Sequence, residues 1–320
     1  MRVLGSELGP YDAPVLRLEH VTFSCENPAR LAEFWGQLLD SETVAAGDSW
    51  LATDPRGEGI ALLFNRMPKS PTIELPIHLD VNVPDREAEL VRVLELGGHL
   101  VQTKSHNVGD LEEKWTVMRD PEGNGFCIQS PTNAPPHRYI GNVTFSCAEP
   151  RELGRFWANA LGWPDEEIDE GFLQQLRDAG VDERELTGFY VTRPPDGGRP
   201  RFLFQRREKS RPASYPIHLD FGTEDREAEI ERLTGAGASV VETKVGTNIT
   251  FTIMRDPEGN PFCVGSSRGR NCGLGCTGAS PGTRHLLLRR AGPARRVLGT
   301  AARLRAGRSR RQLAGDRSPW

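Results

Sequence analysis

The chain reads as an α+β protein whose curved, mostly antiparallel sheets carry helices on their outer faces. Three observations predict this. First, the sequence repeats itself: Val21-Thr-Phe-Ser-Cys25 returns as Val143-Thr-Phe-Ser-Cys147, Pro76-Ile-His-Leu-Asp80 as Pro216-Ile-His-Leu-Asp220, and Met118-Arg-Asp-Pro-Glu-Gly-Asn124 as Met254-Arg-Asp-Pro-Glu-Gly-Asn260. Identical strings in one order mark a tandem duplication, with copies over 15–130 and 138–266 joined by a Pro-rich linker at 131–137. Second, each copy carries the pattern of strand, helix and two or three further strands twice. Third, 320 residues with 37% apolar and 26% charged side chains suit two soluble domains. No apolar run reaches the roughly eighteen residues that cross a bilayer.

The elements follow in order. Leu18 to Phe23 is strand-like around His20, and a helix starts near Pro28 with Leu31, Phe34, Trp35 and Leu38 on one face. Trp50 to Thr53 and Ile60 to Phe64 are short β-like runs. The pattern restarts at Ile77 to Val83, a strand around His78, followed by a helix from its N-cap Asp85 to Gly97-Gly98. Leu100 to Thr103, Trp115 to Met118 and Phe126 to Gln129 are strands, with Asp120-Pro-Glu-Gly-Asn124 as the turn before the last. Copy two repeats this with an insertion of eighteen residues between its Phe156-Trp157 pair and Pro216. Glu166 to Gly180 supplies an extra helix, with Ile168, Phe172, Leu173 and Leu176 at helical spacing, placed to alter pocket access.

Charge divides the chain. The net −4 is the difference between +12 over 267–320, where thirteen Arg meet one acid, and −16 over 1–266. The acidic core argues against nucleic acid and for neutral or cationic ligands. The Arg-rich tail from Ser267 has too few apolar residues to offset chain entropy and reads as disordered. Its abrupt composition also fits a shifted reading frame, and Cys272, Cys276 and His285 make only a loose ligand pattern. Met1 to Pro10 lacks the apolar core of a secretory signal, and six cysteines are too sparse for a disulfide scaffold. The expected location is cytoplasmic.

Paired strand-helix-strand units in tandem, a strand His opening each half and the Asp-Pro-Glu-Gly-Asn turn before Phe126-Cys127 and Phe262-Cys263 together resemble the vicinal oxygen chelate superfamily. That group holds glyoxalase I, bleomycin-resistance proteins and extradiol dioxygenases, and the resemblance is greatest to its glyoxalase-like domain branch. It covers about 15–266 and implies βαβββ units whose sheets curl around a cavity for a small molecule or a metal. Metal-using members place His, Glu, His and Glu on that face. Carried over, copy one presents His20, about Ala61, His78 and Cys127; copy two presents Asn142, about Arg201, His218 and Cys263. Neither carboxylate is present, so the oxygen-rich Mg, Mn, Ni or Fe site is not expected and no cofactor is assigned. The alternative is one divalent ion, Zn²⁺ being the most compatible, on His20, His78 and Cys127.

A metal-free cavity recognises its ligand with a few placed polar groups. His78 with Asp80 and His218 with Asp220 share a strand face at period two and are the candidates for acid–base work. Arg66 and Arg206 end matching strands and could clamp a carboxylate or phosphate; Lys104, Lys244, Phe64, Phe204, Trp50 and Trp115 complete the candidate lining. Trp35 and Trp157 belong to the core. Three readings result: a metal-free small-molecule-binding protein, a metal-dependent lyase or dioxygenase using His20 and His78, and a non-catalytic interaction protein. In each, the two copies pack as an intrachain pseudo-dimer with no membrane or nucleic-acid partner for the core.

Overall fold

A computed structural model describes residues 16–67, 76–108, 111–131, 136–166, 170–178, 180, 183–207, 215–245 and 250–266. The segment from Ser267 onward, with Cys272, Cys276 and His285, lies outside the described residues, as do Met1 to Pro10, linker residues 132–135 and Ile168. Copy one forms β1 (Arg17–Cys25), α1 (Pro28–Leu39), β2 (Glu42–Ala46), β3 (Ser49–Thr53), β4 (Ala61–Arg66), β5 (Ile77–Asn82), α2 (Arg86–Glu95), β6 (His99–Val108), β7 (Leu111–Arg119) and β8 (Gly125–Gln129). Copy two forms β9 (Tyr139–Cys147), α3 (Pro150–Leu161), α4 (Glu170–Asp178), α5 (Glu183–Leu186), β10 (Phe189–Thr192), β11 (Arg201–Arg206), β12 (Ile217–Thr223), α6 (Arg226–Gly235), β13 (Ser239–Val245), β14 (Thr250–Arg255) and β15 (Pro261–Ser266). Among the described residues, no helix is long and apolar enough to cross a membrane.

Local chemistry explains the helix ends. Asn27 caps α1 by accepting from Arg30 N–H at 3.2 Å with Pro28 behind it, and Asp85 caps α2 by accepting from Ala88 N–H at 3.1 Å. The insertion delivers α4 and α5 where copy one has β2. That edge strand, Glu42–Ala46, is exposed at every position but the last and lacks an alternating apolar face, so nothing in the pattern announced it.

The sheets do not follow the copies. An eight-stranded sheet runs β13-β14-β15-β12-β1-β4-β3-β2, and a seven-stranded sheet runs β10-β11-β9-β5-β8-β7-β6. The first half of copy one therefore shares a sheet with the second half of copy two, through the antiparallel β1–β12 pair. The two remaining halves join through β5–β9. The mixed α+β architecture and intrachain pseudo-dimer expected from the sequence are present, with each sheet built from both copies.

The aromatic core obeys the opposite rule and stays within a copy. Trp35 on α1 lies 5.3 Å from Phe23 of β1 in one sheet and 5.0 Å from Phe126 of β8 in the other, ring centroid to centroid. Trp157 repeats this with Phe145 at 5.8 Å and Phe262 at 5.1 Å. Helix α1 is thus wedged between the two sheets, and the Asp-Pro-Glu-Gly-Asn turn clasps it. Asp120, fully buried, accepts from Trp35 Nε1–H (3.2 Å), Asn124 Nδ2–H (2.8 Å) and the Glu122 and Asn124 N–H groups (3.0 and 2.9 Å). Glu122 accepts from the Glu26 and Asn27 N–H groups at 3.0 and 2.8 Å, placing negative charge at the positive helix end. Gly123, at φ 85°, adopts the backbone conformation the turn requires. Asp256, Glu258 and Gly259 make the same clasp for Trp157 and α3.

Candidate functional site

Strand alternation sends one set of side chains toward the helices and the other to the helix-free face. Phe23, Phe64, Leu79 and Phe126 go to the helices; His20, Thr22, His78, Asp80 and Cys127 go to the other face. In the seven-stranded sheet, register aligns Gln102, Val117, Cys127, Asp80, Asn142 and Arg201 in one cross-strand row. In the eight-stranded sheet the equivalent row is Glu242, Ile253, Cys263, Asp220, His20 and Ala61. His78 sits one pleat away opposite Thr144, and His218 opposite Thr22.

In the seven-stranded sheet, Asp80 is buried and accepts from Asn142 Nδ2–H at 2.9 Å and Thr144 Oγ1–H at 2.8 Å, with His78 Nε2 at 3.5 Å from its second oxygen. Arg201 Nε–H donates to Asn142 Oδ1 at 3.0 Å, and its Nη1 reaches Glu166, the first residue of the insertion, at 3.1 Å. A continuous relay runs from Glu166 through Arg201, Asn142 and Asp80 to His78. In the eight-stranded sheet the core of the motif is the same but simpler: Thr22 Oγ1–H donates to Asp220 at 2.5 Å and His218 Nε2 lies 3.2 Å from Asp220.

Burial alone would raise both aspartates, but their partners outweigh it. His78, Asn142 and Thr144 hold Asp80 below the ordinary carboxylate range, and His218, Thr22 and His20 do the same for Asp220. Burial, with Asp220 opposing it, pushes His20 down toward the neutral imidazole. Burial, reinforced by neighbouring Asp80, pushes the Cys127 thiol well up, so the group stays protonated at neutral pH.

The structure sorts the sequence candidates. His78, Asp80, Lys104 and Trp115 share the helix-free face of the seven-stranded sheet: Lys104 pairs with Trp115, and Trp115 with Gln129. His218 and Asp220 are together on the other sheet. The proposed set of His20, His78 and Cys127 is divided, because His20 belongs to β1 of the eight-stranded sheet while the other two are in the seven-stranded one; within-copy bookkeeping missed the crossing of halves. Phe64 and Phe204 are fully buried against Phe23 and Phe145 and line no site. Trp50 lies opposite Phe64 and so on the helix side. Arg66 shares that side and donates to the Glu26 carbonyl at 2.9 Å, with Arg206 at the matching position beside Cys147. Lys244 is exposed and pairs with Glu242 at 3.4 Å. Thr144, Glu166 and Arg207 were missed. Arg207 was readable only through its neighbour: if Arg206 faces the helices, the next residue faces the other way.

The donor set does not fit the oxygen-rich ion that the resemblance implies. Thr22 pairs with Leu63 as Asp220 pairs with Cys263, and Thr144 pairs with Leu203 as Asp80 pairs with Cys127. The positions equivalent to the two cysteines are therefore Leu63 and Leu203, one pleat beyond Ala61 and Arg201, and leucine offers no ligand. What each sheet does assemble is one His, one Asp and one Cys: His78, Asp80 and Cys127, and likewise His218, Asp220 and Cys263, with ligand atoms within 4.8 Å of one another. That mixed N, O and S composition is one Zn²⁺ accepts.

Residues 20–129 and 142–265 each match the family model of the glyoxalase-like domain, and the chain belongs to that family. No curated protein matches it. Among solved structures it resembles glyoxalase I from Zea mays, with a TM-score of 0.57 and 12% identity over 79% of this chain and 93% of that one. It also resembles a chain from Bacillus subtilis subsp. subtilis str. 168 with a provisional dioxygenase assignment (TM-score 0.52, 13% identity, 80% and 86% covered). At these identities the likeness is one of fold.

Proposed function

We propose that the chain binds small molecules on the helix-free faces of its two sheets, without the oxygen-rich divalent ion used elsewhere in the superfamily. The observation that carries this reading is the polar relay from half-buried Glu166 and Arg201 to buried Asn142, Asp80 and His78. Fixed donors and acceptors on a curved sheet provide oriented recognition, and leucines occupy two of the places where a divalent ion would need ligands. The chemistry within reach of such a face is proton transfer at His78 or His218, each ring being oriented by its aspartate. Only four cysteines lie among the described residues, all of them buried, a sparse usage that agrees with a cytoplasmic location.

The experiment is a thermal-shift screen of the full chain against neutral, cationic and anionic metabolites, paired with metal analysis of the purified protein. A ligand at a hundred times its Kd adds about 2.7 kcal/mol, which moves the melting temperature by several degrees. A panel that shifts nothing favours the non-catalytic interaction reading instead. The His, Asp and Cys trio supports a second reading, a Zn²⁺-dependent lyase or dioxygenase. One equivalent of zinc that is lost on His78→Ala or His218→Ala would establish that reading in place of the first.

A further inference from the structure

Glu166 and Arg201 stand where the other helix-free face has an apolar pair. Arg201 matches Ala61, since they lie opposite Asn142 and His20 respectively. Asp165 bridges to Thr192 as Thr43 pairs with Ala52, and Thr192 and Ala52 lie in turn opposite Phe202 and Leu62. Glu166 therefore takes the place that Val44 has in β2, and its N–H donates to the Val191 carbonyl at 2.9 Å. Of the two faces, the seven-stranded one alone carries a guanidinium and a carboxylate at these places.

The two partners are held in different ways. Arg201 is fixed from behind: its Nε–H donates to Asn142 Oδ1 at 3.0 Å, and Asn142, 3% exposed, donates onward to buried Asp80 at 2.9 Å. Glu166 is fixed through its backbone. Besides the Val191 bond, Thr192 Oγ1–H donates to the Pro164 carbonyl at 2.8 Å, and the Tyr190 hydroxyl donates to the Asp165 carboxylate. Pro164 to Glu166 is thus strapped to β10, while the Glu166 carboxylate meets Arg201 alone among the described residues. That contact leaves half of the guanidinium fork unused. Both Glu166 oxygens share one donor, Nη1, at 3.1 and 3.3 Å, whereas a carboxylate is gripped best by two parallel N–H groups. Among the described residues, Nη2 makes no hydrogen bond. The Arg201 and Glu166 side chains are 39% and 24% exposed, and an ion pair so open to water is weakly held. The arrangement is that of an anion subsite whose present occupant is readily exchanged.

We infer that Glu166 is a built-in stand-in for the anionic group of the ligand. A small molecule's carboxylate or phosphate displaces it and takes Nη1 and Nη2 of Arg201 together. The rest of the molecule then lies along the face toward the His78 and Asp80 pair, two strands and so about 10 Å across the sheet. This rests on the reading of the helix-free faces as binding sites and narrows it, because the −16 of the core points to neutral or cationic ligands. The eight-stranded face, with Val44 and Ala61 at the matching places, offers no such subsite.

The test is calorimetric titration of the full chain with succinate, inorganic phosphate, choline and glycerol at constant ionic strength. Saturable binding of succinate or phosphate is expected, and Glu166→Gln should tighten it about 3- to 10-fold by removing the internal competitor. A gain of affinity is a readout that a damaged fold does not supply. Arg201→Met should weaken binding about 10- to 100-fold, the worth of one charge-assisted hydrogen bond. In that background Glu166→Gln should change nothing. Glu95→Gln, at an exposed position near the end of α2, removes the same charge elsewhere and should leave affinity unchanged, which separates displacement from a general easing of repulsion. Circular dichroism is recorded for every variant. Unaltered or weakened anion binding by a folded Glu166→Gln, tightening that persists without Arg201, or no saturable response to either anion overturns the inference. A response to choline or glycerol alone refutes the anion subsite while leaving small-molecule binding intact; silence across the broad metabolite panel defeats both.

Discussion

Removing the Asp120 carboxylate should cost far more stability than a change in a connecting turn ordinarily does. Asp120→Ala strands the Trp35 indole N–H and the Asn124 side-chain amide, on residues 1% exposed, together with two turn N–H groups. A buried unsatisfied donor costs roughly 1–3 kcal/mol. Two stranded side-chain donors, less the relief of no longer burying a carboxylate, give an expected loss of about 3–4 kcal/mol. Trp35→Phe removes one of the four donors and should cost about 1–2 kcal/mol. Because the two residues touch, the double variant should fall short of the sum by about 1 kcal/mol. Urea unfolding followed by far-ultraviolet circular dichroism measures all three. A loss under about 1 kcal/mol for Asp120→Ala, or strict additivity with Trp35→Phe, would refute the clasp as a source of stability.

Other consequences are equally accessible. Asp80 and Asp220 have depressed folded-state pKa values, so their contribution is present above the unfolded carboxylate pKa of about 3.9 and fades as pH falls through the lower folded values. Asp80→Asn and Asp220→Asn should flatten the acid limb of stability measured from pH 6 to 2.5; an unchanged slope would count against it. Cys25, Cys127, Cys147 and Cys263 are buried, and burial raises Cys127 and Cys147. Peptide mass spectrometry after iodoacetamide treatment at pH 8 should find these four unmodified in native protein and labelled after unfolding. A Cβ on Gly154 would meet Tyr190 Cδ1 at 1.9 Å, so Gly154→Ala should destabilise the chain by about 1–3 kcal/mol, read as a lowered urea midpoint.

Local signals in the sequence carried most of the fold and little of its pairing. The helix start near Pro28, capping at Asp85, the apolar stripe holding Phe34 and Trp35, and alternation around His78 are short-range and survive into the structure unchanged. β2 escaped notice because an exposed edge strand needs no apolar face. Which half pairs with which is a long-range choice: β1 could meet either β5 or β12 with similar residues opposite, and nothing local decides. That choice separated His20 from His78. Facing errors arose from a different cause. Arg66 was read as lining a cavity because it ends a strand and Phe64 because it is aromatic, whereas strand parity, fixed by Phe23 beneath α1, turns both toward the helices. Once parity is known, Lys104, Arg207 and Thr144 follow from sequence position alone.

Sheets shared between duplicated segments have an evolutionary corollary. Two separate, identical polypeptides assembled in this manner would own twin basins, and every substitution would strike both at once. Fusing them into a single gene product lifts that obligation. Four modules can then differ individually: one face now carries Arg201, Glu166 and Arg207, the other His20, Ala61 and Met67. Neither segment could be deleted without ruining both basins, which makes the duplication hard to reverse even as its two products specialise.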